Sequence, residues 1–273
     1  MAITTAVPDR DGLAVLADRV GGFGGPVYAA IESMNGARFV HDQLVWLPTP
    51  TVRAERERAR WRLHLVRHRS ALKNRIHATL LAFGHPCPVS DLFGVGGREL
   101  LARLELPGPW AADTTAALYL IDELDHQIIE CERALRQLGA DHRYVPLLMT
   151  TPGIGWVLGF TIAAEIGDIA RFPSPTKLAG YTGLCPRVYQ SGGKDHRGPL
   201  AKNGPKYLRW ALIEAATHAA RHPVYAERYR RTKTRLGRQR GPKVAQVDLA
   251  RRLAEAIWHM LSTNRPFAPA GAA

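Results

Sequence analysis

Apolar positions recur along this chain with two helical signatures. Residues 51–83 contain no proline or glycine, and Leu65, Leu72, Ile76, Leu80 and Phe83 return at helical spacing, so the pattern predicts one long helix closed by Gly84. Residues 87–109 are punctuated by glycine and proline and predict a connector holding a short helix over 99–104. Then Ile121, Leu124, Ile128, Cys131, Leu135 and Leu138 step by 3, 4, 3, 4 and 3, the seam of an antiparallel arm or a dimer-forming coiled coil. The outer face of that second helix carries Asp122, Glu123, Asp125, Glu130 and Glu132, which are expected to complement the basic helix before it.

Further on, residues 144–164 are uncharged over the length of a membrane span. Pro146, Thr150, Thr151, Pro152, Gly153 and Gly155 interrupt the first half, so the stretch predicts buried soluble structure with a helix beginning near Trp156. Short β-prone pieces surround Val188 and Tyr189. A helix is predicted from Lys206, with Leu208, Ala211, Leu212 and Ala215 on its apolar face. The last helical pattern breaks at Gly237 and Gly241, after which Val247, Ala250, Leu253, Ala254, Ile257, Trp258 and Leu261 form a face suited to closing a core. Near the start, residues 26–31 read as a strand ending at Glu32. Asp9, Arg10 and Asp11 precede any apolar run, so no secretion signal is expected.

Charge changes the picture. Lys and Arg number 37 against 24 Asp and Glu, a formal net charge of +13 that points to a polyanionic partner, nucleic acid first and an anionic membrane surface second. The excess is clustered. Residues 50–83 carry 9 basic and 2 acidic side chains, whereas residues 187–243 carry 15 and 3. A solvated surface explains excess charge but not this clustering, so nucleic-acid binding leads. The three cysteines, Cys87, Cys131 and Cys185, have neither CxxC nor Cys/His spacing; a disulfide framework and a zinc ribbon are both unsupported, and a reducing cytoplasm fits.

Three motifs carry candidate chemistry. In the PGIG sequence at 152–155, Gly153 and Gly155 either let backbone N–H groups converge on a phosphate at a helix N-terminus, as in a helix-hairpin-helix element, or simply make a tight turn between packed helices. In QSGGK, Ser191 stands before two glycines with Lys194, His196 and Arg197 close behind; a serine so placed could attack a phosphodiester while the cations stabilise the added negative charge. Lys202, Lys206 and Arg209 continue the basic run in KNGPKYLRW. The terminal helix adds Arg228, Arg230, Arg231, Lys233, Arg235, Arg238, Arg240 and Lys243, with Tyr225 and Tyr229 free either to stack on bases or to pack inward. Glu32, a carboxylate just past a strand end, is a metal ligand only if partner acids join it.

The order PGIG, AEIGDIARFPSPTKLAGYTGLCP, QSGGK and KNGPKYLRWALIEAA resembles the C-terminal domain of insertion-sequence transposases of the IS110 group, over residues 147–258; LVRHRSALKNRIHATLLAFG upstream resembles that family's helical arm. The resemblance implies a DNA recombinase that joins an RNase-H-like domain, whose DEDD acids hold Mg2+, to a domain supplying a nucleophilic serine, with a structured guide RNA as a further partner. Carried onto this chain, the serine falls on Ser191 and the second acid on Glu32, which would be both catalytic and a metal ligand. Gly153, Gly155, Lys194, Arg197, Lys202, Lys206, Arg209, Arg230, Arg231 and Lys233 become the expected nucleic-acid contacts.

Here the sequence departs from the family. Nothing GLD-like precedes Asp9, and FVHDQL at 39–44 runs directly into VWLPTPTVRAERERAR where a KTDxxDA-like helix is expected. The expectation is therefore a predominantly helical α+β protein. Its parts would be an RNase-H-like remnant at 1–49, shortened and internally deleted, a helical arm or coiled coil at 50–143, a compact transposase domain with a helix-hairpin-helix-like element at 144–266, and a frayed tail at 267–273. Such a chain would be cytoplasmic, nucleoid-associated and bacterial, would bind element DNA, would self-associate through its arm, and would hold Mg2+ poorly. The alternative is a non-catalytic nucleic-acid-binding remnant of a transposase.

Overall fold

The computed structural model describes residues 48–191 and 194–268, besides two isolated upstream positions, and at 188–197 it describes the backbone alone. Glu32 and the strand expected at 26–31 lie outside the described residues. The chain divides at Thr51 into two units, and both hydrophobic cores belong to the second, from Val52 onward.

Helix α1 (Pro50–Ala82) runs the length the sequence predicts. Gly84, at φ 68°, ends it: Gly84 N–H donates to Leu81 O and His85 N–H to Leu80 O, the paired bonds of a Schellman stop. Helix α2 (Val95–Arg103) leads to α3 (Trp110–Ala140). Helix α3 starts eleven residues before the heptad does. Ala111, Ala112, Ala116 and Ala117 have no apolar period, but alanine has the highest helix propensity and carries the helix through them.

Helices α1 and α3 lie antiparallel. Arg62 bonds Glu132, Arg69 bonds Asp125 and Arg75 faces Asp113 at 3.8 Å, so rising numbers on one helix meet falling numbers on the other. Of the acidic face, Asp125 and Glu132 complement the basic helix, whereas Asp122 pairs with Arg98 of α2 and Glu130 with Arg133 of its own helix. Every seventh seam residue, Ile121, Ile128 and Leu135, is buried, whereas Leu138 is exposed. Ile76, Leu80, Leu92, Leu101, Ala117 and Ile121 make one small core at the far end of this arm.

The larger core gathers around α5 (Trp156–Ile166), in which residues 158–166 are all buried. A helix apolar on every side belongs at the centre of a domain. Around it stand α4 (Val145–Met149), α6 (Pro175–Tyr181), α7 (Lys206–Ala219) and α8 (Pro223–Thr263), and Ala59 and Leu135 of the arm join the same core. Ser174 caps α6, its Oγ accepting from Lys177 N–H at 3.3 Å, with Pro175 at the first helical position. Strands β1 (Pro186–Ser191) and β2 (Lys194–Leu200) form an antiparallel ribbon with a bulge near Val188.

Helix α8 is not straight. Over twenty residues a straight helix rises about 30 Å, yet Arg228 makes two hydrogen bonds to Asp248, at 2.7 and 3.0 Å. The chain doubles back at Gly237 (φ 76°, ψ 176°), so α8 is two helical segments packed as a hairpin. Gly241 lies against the Lys233 carbonyl so closely that a Cβ would stand 2.2 Å from it. The second segment buries Leu249, Ala250, Leu253, Ala254, Ile257 and Leu261, and the Trp258 indole N–H donates to Phe172 O at 2.8 Å. Phe267 is held too, its N–H donating to Thr150 Oγ1 at 2.8 Å. The fold is α+β and predominantly helical, as the pattern predicts, and no described helix is long and apolar enough to cross a membrane.

Candidate nucleic-acid interface

The centre of the candidate site is the foot of the β1–β2 ribbon, fixed by backbone contact. Gly183 (φ 69°) and Gly204 meet there. A Cβ on Gly204 would fall 1.7 Å from Tyr181 O, and one on Gly183 would fall 2.9 Å from Gly204 N, so neither position admits a side chain without displacement. Ala201 N–H donates to Cys185 O and Lys202 N–H to Gly183 O, closing the ribbon above this point. Lys202 itself adopts φ 57°, an unusual left-handed conformation for a residue with a Cβ. From α7, Arg209 Nη1 donates to Thr182 O at 3.4 Å and Gly204 O at 3.3 Å, clamping both sides. Arg209, expected as a nucleic-acid contact, thus braces the ribbon through its own carbonyls.

Along the ribbon the register sets Ser191 opposite Lys194, Tyr189 opposite His196 and Gln190 opposite Asp195. Positions alternate between faces of a strand, so 189, 191, 194 and 196 share one face. Ser191 and Lys194 are therefore direct neighbours at the end of the ribbon. The Ser-Gly-Gly-Lys sequence anticipates this, because a two-residue Gly-Gly link is a favoured hairpin connection. Arg197 pairs with Val188, one step further down.

Lys206 opens α7, exposed, and Tyr207 follows it half-buried. Three cations surround the Tyr207 ring: Arg60 at 5.0 Å, Arg67 at 5.6 Å and Lys206 at 5.0 Å from its centroid. Two of the three come from α1, so the basic face of the arm meets the KNGPKY sequence here. Arg60 does more. Its Nε and Nη2 reach Glu165 Oε1 and Oε2 at 2.7 and 3.0 Å, a bidentate pair with a carboxylate that is wholly buried. One turn earlier, Arg56 donates to Ala164 O at 2.8 Å and Glu165 O at 2.9 Å, while Arg171 donates to Ile166 O at 3.1 Å. The last carbonyls of α5, the negative end of its dipole, are thereby capped by arginine. Burial pulls the Arg56 guanidinium below its ordinary pKa, against the pull of Tyr181 and Glu165; burial acts the same way on Arg60, but there the Glu165 hydrogen bond and charge prevail and raise it.

The PGIG turn divides in two. Gly153 (φ 84°) presses on α7, where a Cβ would stand 2.3 Å from Ala215 O and 2.8 Å from Ala219 N, so its lack of a side chain serves helix packing. Gly155 is exposed with open space around its Cα and precedes α5, which has no side-chain cap. On α8, Tyr225 is buried, and burial raises its hydroxyl above the usual tyrosine pKa; it packs inward, so the base-stacking alternative is set aside for this residue. Arg230 pairs with Glu227 at 2.5 Å, and Arg231 and Lys233 are exposed.

Sequence reasoning brings together Lys202, Lys206 and Arg209 at the ribbon foot and Ser191 with Lys194 at its end. It counts Arg60 and Arg67 only among the basic side chains of the first long helix, and it misses their partners Tyr207 and Glu165. The available signal was Glu165 itself, the first charge after a long uncharged run. Glu32 lies outside the described residues, and among these no three His, Cys, Asp or Glu side chains gather to hold a metal.

Compared with known proteins, the chain matches the family described as Transposase IS116/IS110/IS902 over residues 145–231. It is 31% identical over 234 residues to the transposase for insertion sequence element IS1328 of Yersinia enterocolitica, covering 80% of this chain and 67% of that protein. A probable family 20 transposase of Pseudomonas aeruginosa is 31% identical over 220 residues, 77% of this chain and 64% of that one. A pilin gene-inverting protein of Moraxella bovis is 34% identical over 152 residues, 54% and 45%. The chain thus spans about two thirds of the length of the first two relatives and under half of the third.

Proposed function

The chain belongs to the IS116/IS110/IS902 family of transposases, and on that premise we propose that it binds DNA and serves as a transposase or site-specific recombinase, with Ser191 as nucleophile. The observation that carries this reading is the ribbon register, Ser191 directly opposite Lys194 above a foot braced by Arg209. Ser191 Oγ would attack a DNA phosphodiester. The new P–O bond to serine forms as the P–O bond to a deoxyribose oxygen breaks, and that oxygen leaves as a hydroxyl with the proton. Attack by a second DNA hydroxyl on the phosphoserine then rejoins a strand and releases the serine, so the count of phosphoester bonds is unchanged and no external energy source is required. Lys194, on the same ribbon face, would offset the charge gained in the transition state, whereas Arg197 sits at a register position of the other face. Lys202, Lys206, Arg230, Arg231 and Lys233 would hold the backbone, with the open amides at Gly155 as a further phosphate contact.

The test is trapping. Incubated with end-labelled element DNA and denatured, the protein is expected to carry label, and Ser191→Ala to carry none; an adduct of unchanged yield in the variant rules this serine out. Affinity itself should fall steeply with salt. A second reading is binding without joining. It is favoured by the sequence, in which one acid of the family quartet, Glu32, has a counterpart; strand-transfer assays with Mg2+ separate the two. A structured RNA and a second copy of the chain are further proposed partners, the latter supported by Tyr119, Leu120 and Ile129 exposed on the arm.

A further inference from the structure

Where α8 doubles back it makes a tip, and the tip is cationic. Arg231, Lys233 and Arg235 stand on the last turns of the first segment, and Arg238, Arg240 and Lys243 on the first turns of the second. All six are exposed and none forms an ion pair among the described residues, in contrast to Arg228 and Arg230 just below them. No acid occurs between Glu227 and Asp248. Six like charges at one turn repel one another, and the fold does nothing to spread them. It holds them in place instead. The stem is locked by the two Arg228–Asp248 hydrogen bonds and the close backbone approach of Gly241 to Lys233, and Gln246 Nε2 ties the second segment to Ile213 O at 3.2 Å.

We propose that this hairpin tip is a sequence-independent clamp for the phosphate backbone of duplex DNA. The inference rests on the DNA-binding reading above, which already uses Arg231 and Lys233, and deepens it by adding Arg235, Arg238, Arg240 and Lys243, all beyond the family-matched segment, and by naming the ligand as duplex backbone. The tip's side chains select the ligand. Residues 230–243 contain no aromatic ring, so they offer no platform for unstacked bases, and one amide, Gln239, so they offer little to base edges. What remains are cations suited to phosphate oxygens, and a duplex presents these at twice the density of a single strand.

Two charge-matched variants of the full chain test this, R235Q/R238Q/R240Q at the tip and R103Q/R133Q/R136Q on the arm, each checked for unchanged helicity and melting temperature. Binding to a random 30-base-pair DNA duplex and to a 30-nucleotide single strand is followed by fluorescence anisotropy across 50–300 mM salt, ranges chosen on the order of those where counterion release is resolved. For the tip variant the slope of log K against log salt on duplex should flatten by about 2–3, roughly 0.9 for each phosphate that the variant no longer neutralises, with affinity at 150 mM weaker by on the order of tenfold or more. The arm variant should stay within about twofold of the parent, since net charge alone acts weakly at screened distances. Equal losses in the two variants, an unchanged tip variant, or a larger loss on the single strand would each overturn the clamp while leaving DNA binding elsewhere on the chain intact. A parent that binds neither DNA overturns the proposed function as well.

Discussion

Removing either partner of the Arg60–Glu165 pair should destabilise the protein, but unequally. The Glu165 side chain is 0% exposed and that of Arg60 24%. In Arg60→Ala the carboxylate stays where water does not reach and loses both its hydrogen bonds, the situation that costs about 3–5 kcal/mol when a buried pair is broken. In Glu165→Gln the site keeps a hydrogen-bonding oxygen and Arg60 keeps some water and the face of Tyr207, so the loss should be about 1–3 kcal/mol. The double variant strands no charge, and its cost should fall short of the sum of the singles by more than about 1 kcal/mol. Urea denaturation followed by circular dichroism gives all three values. In a unit of this size each kcal/mol moves the melting temperature by about 2–4 °C, so calorimetry should resolve the order as well. Equal costs, or additivity within about 0.5 kcal/mol, would refute the claim that the pair is a buried, cooperative link between α1 and α5.

Two further outcomes follow from close packing and burial elsewhere in the fold. Gly153→Ala should lose about 3 kcal/mol or more through a left-handed φ and the clash with Ala215 O, whereas Gly155→Ala, in open space, should stay within about 0.5 kcal/mol; comparable melting temperatures would show that Gly153 does not press on α7. His142 has its pKa lowered by burial, against the raising effect of Glu55 at 3.7 Å, and its Nδ1 accepts from Tyr144 N–H at 3.0 Å. A depressed folded-state pKa means the unfolded chain binds the proton more readily, so stability from this group is present above the ordinary value of 6.5 and drains as pH falls through and below it. His142→Gln should flatten that slope in pH-dependent melting between about pH 7.5 and 5, and an identical slope in the variant would exclude this histidine as its source.

What could be read from the sequence was whatever depends on near neighbours. The seven-residue return of Ile121, Ile128 and Leu135, the Gly84 stop, the break at Gly237 and the apolar face at 249–261 all express local periodicity or a backbone requirement, and each appears in the fold. The opposition of Ser191 and Lys194 is legible for the same reason, being two residues across a Gly-Gly link. The rest depends on distant partners. Glu165 and Arg60 are 105 residues apart, and nothing local marks them as a pair. Gly153 has the composition of an open phosphate loop, yet α7 covers it, because Ala215 and Ala219 are small enough to let two backbones touch. Arg209 has the sequence neighbours of a solvent-facing cation, and its partners are carbonyls of the turn beneath it.

The arginines that reach from α1 onto the end of α5 bear on how this protein can be cut. A fragment trimmed to the family-matched segment, 145–231, would strand the Glu165 carboxyl group inside an apolar interior, uncap the carbonyls beside it, and strip away the Leu249–Leu261 wall on the opposite side. The family-matched segment and the folding unit therefore have different borders, and that segment is not portable by itself. A portable fragment has to carry the first long helix and the returning half of the last one along with it.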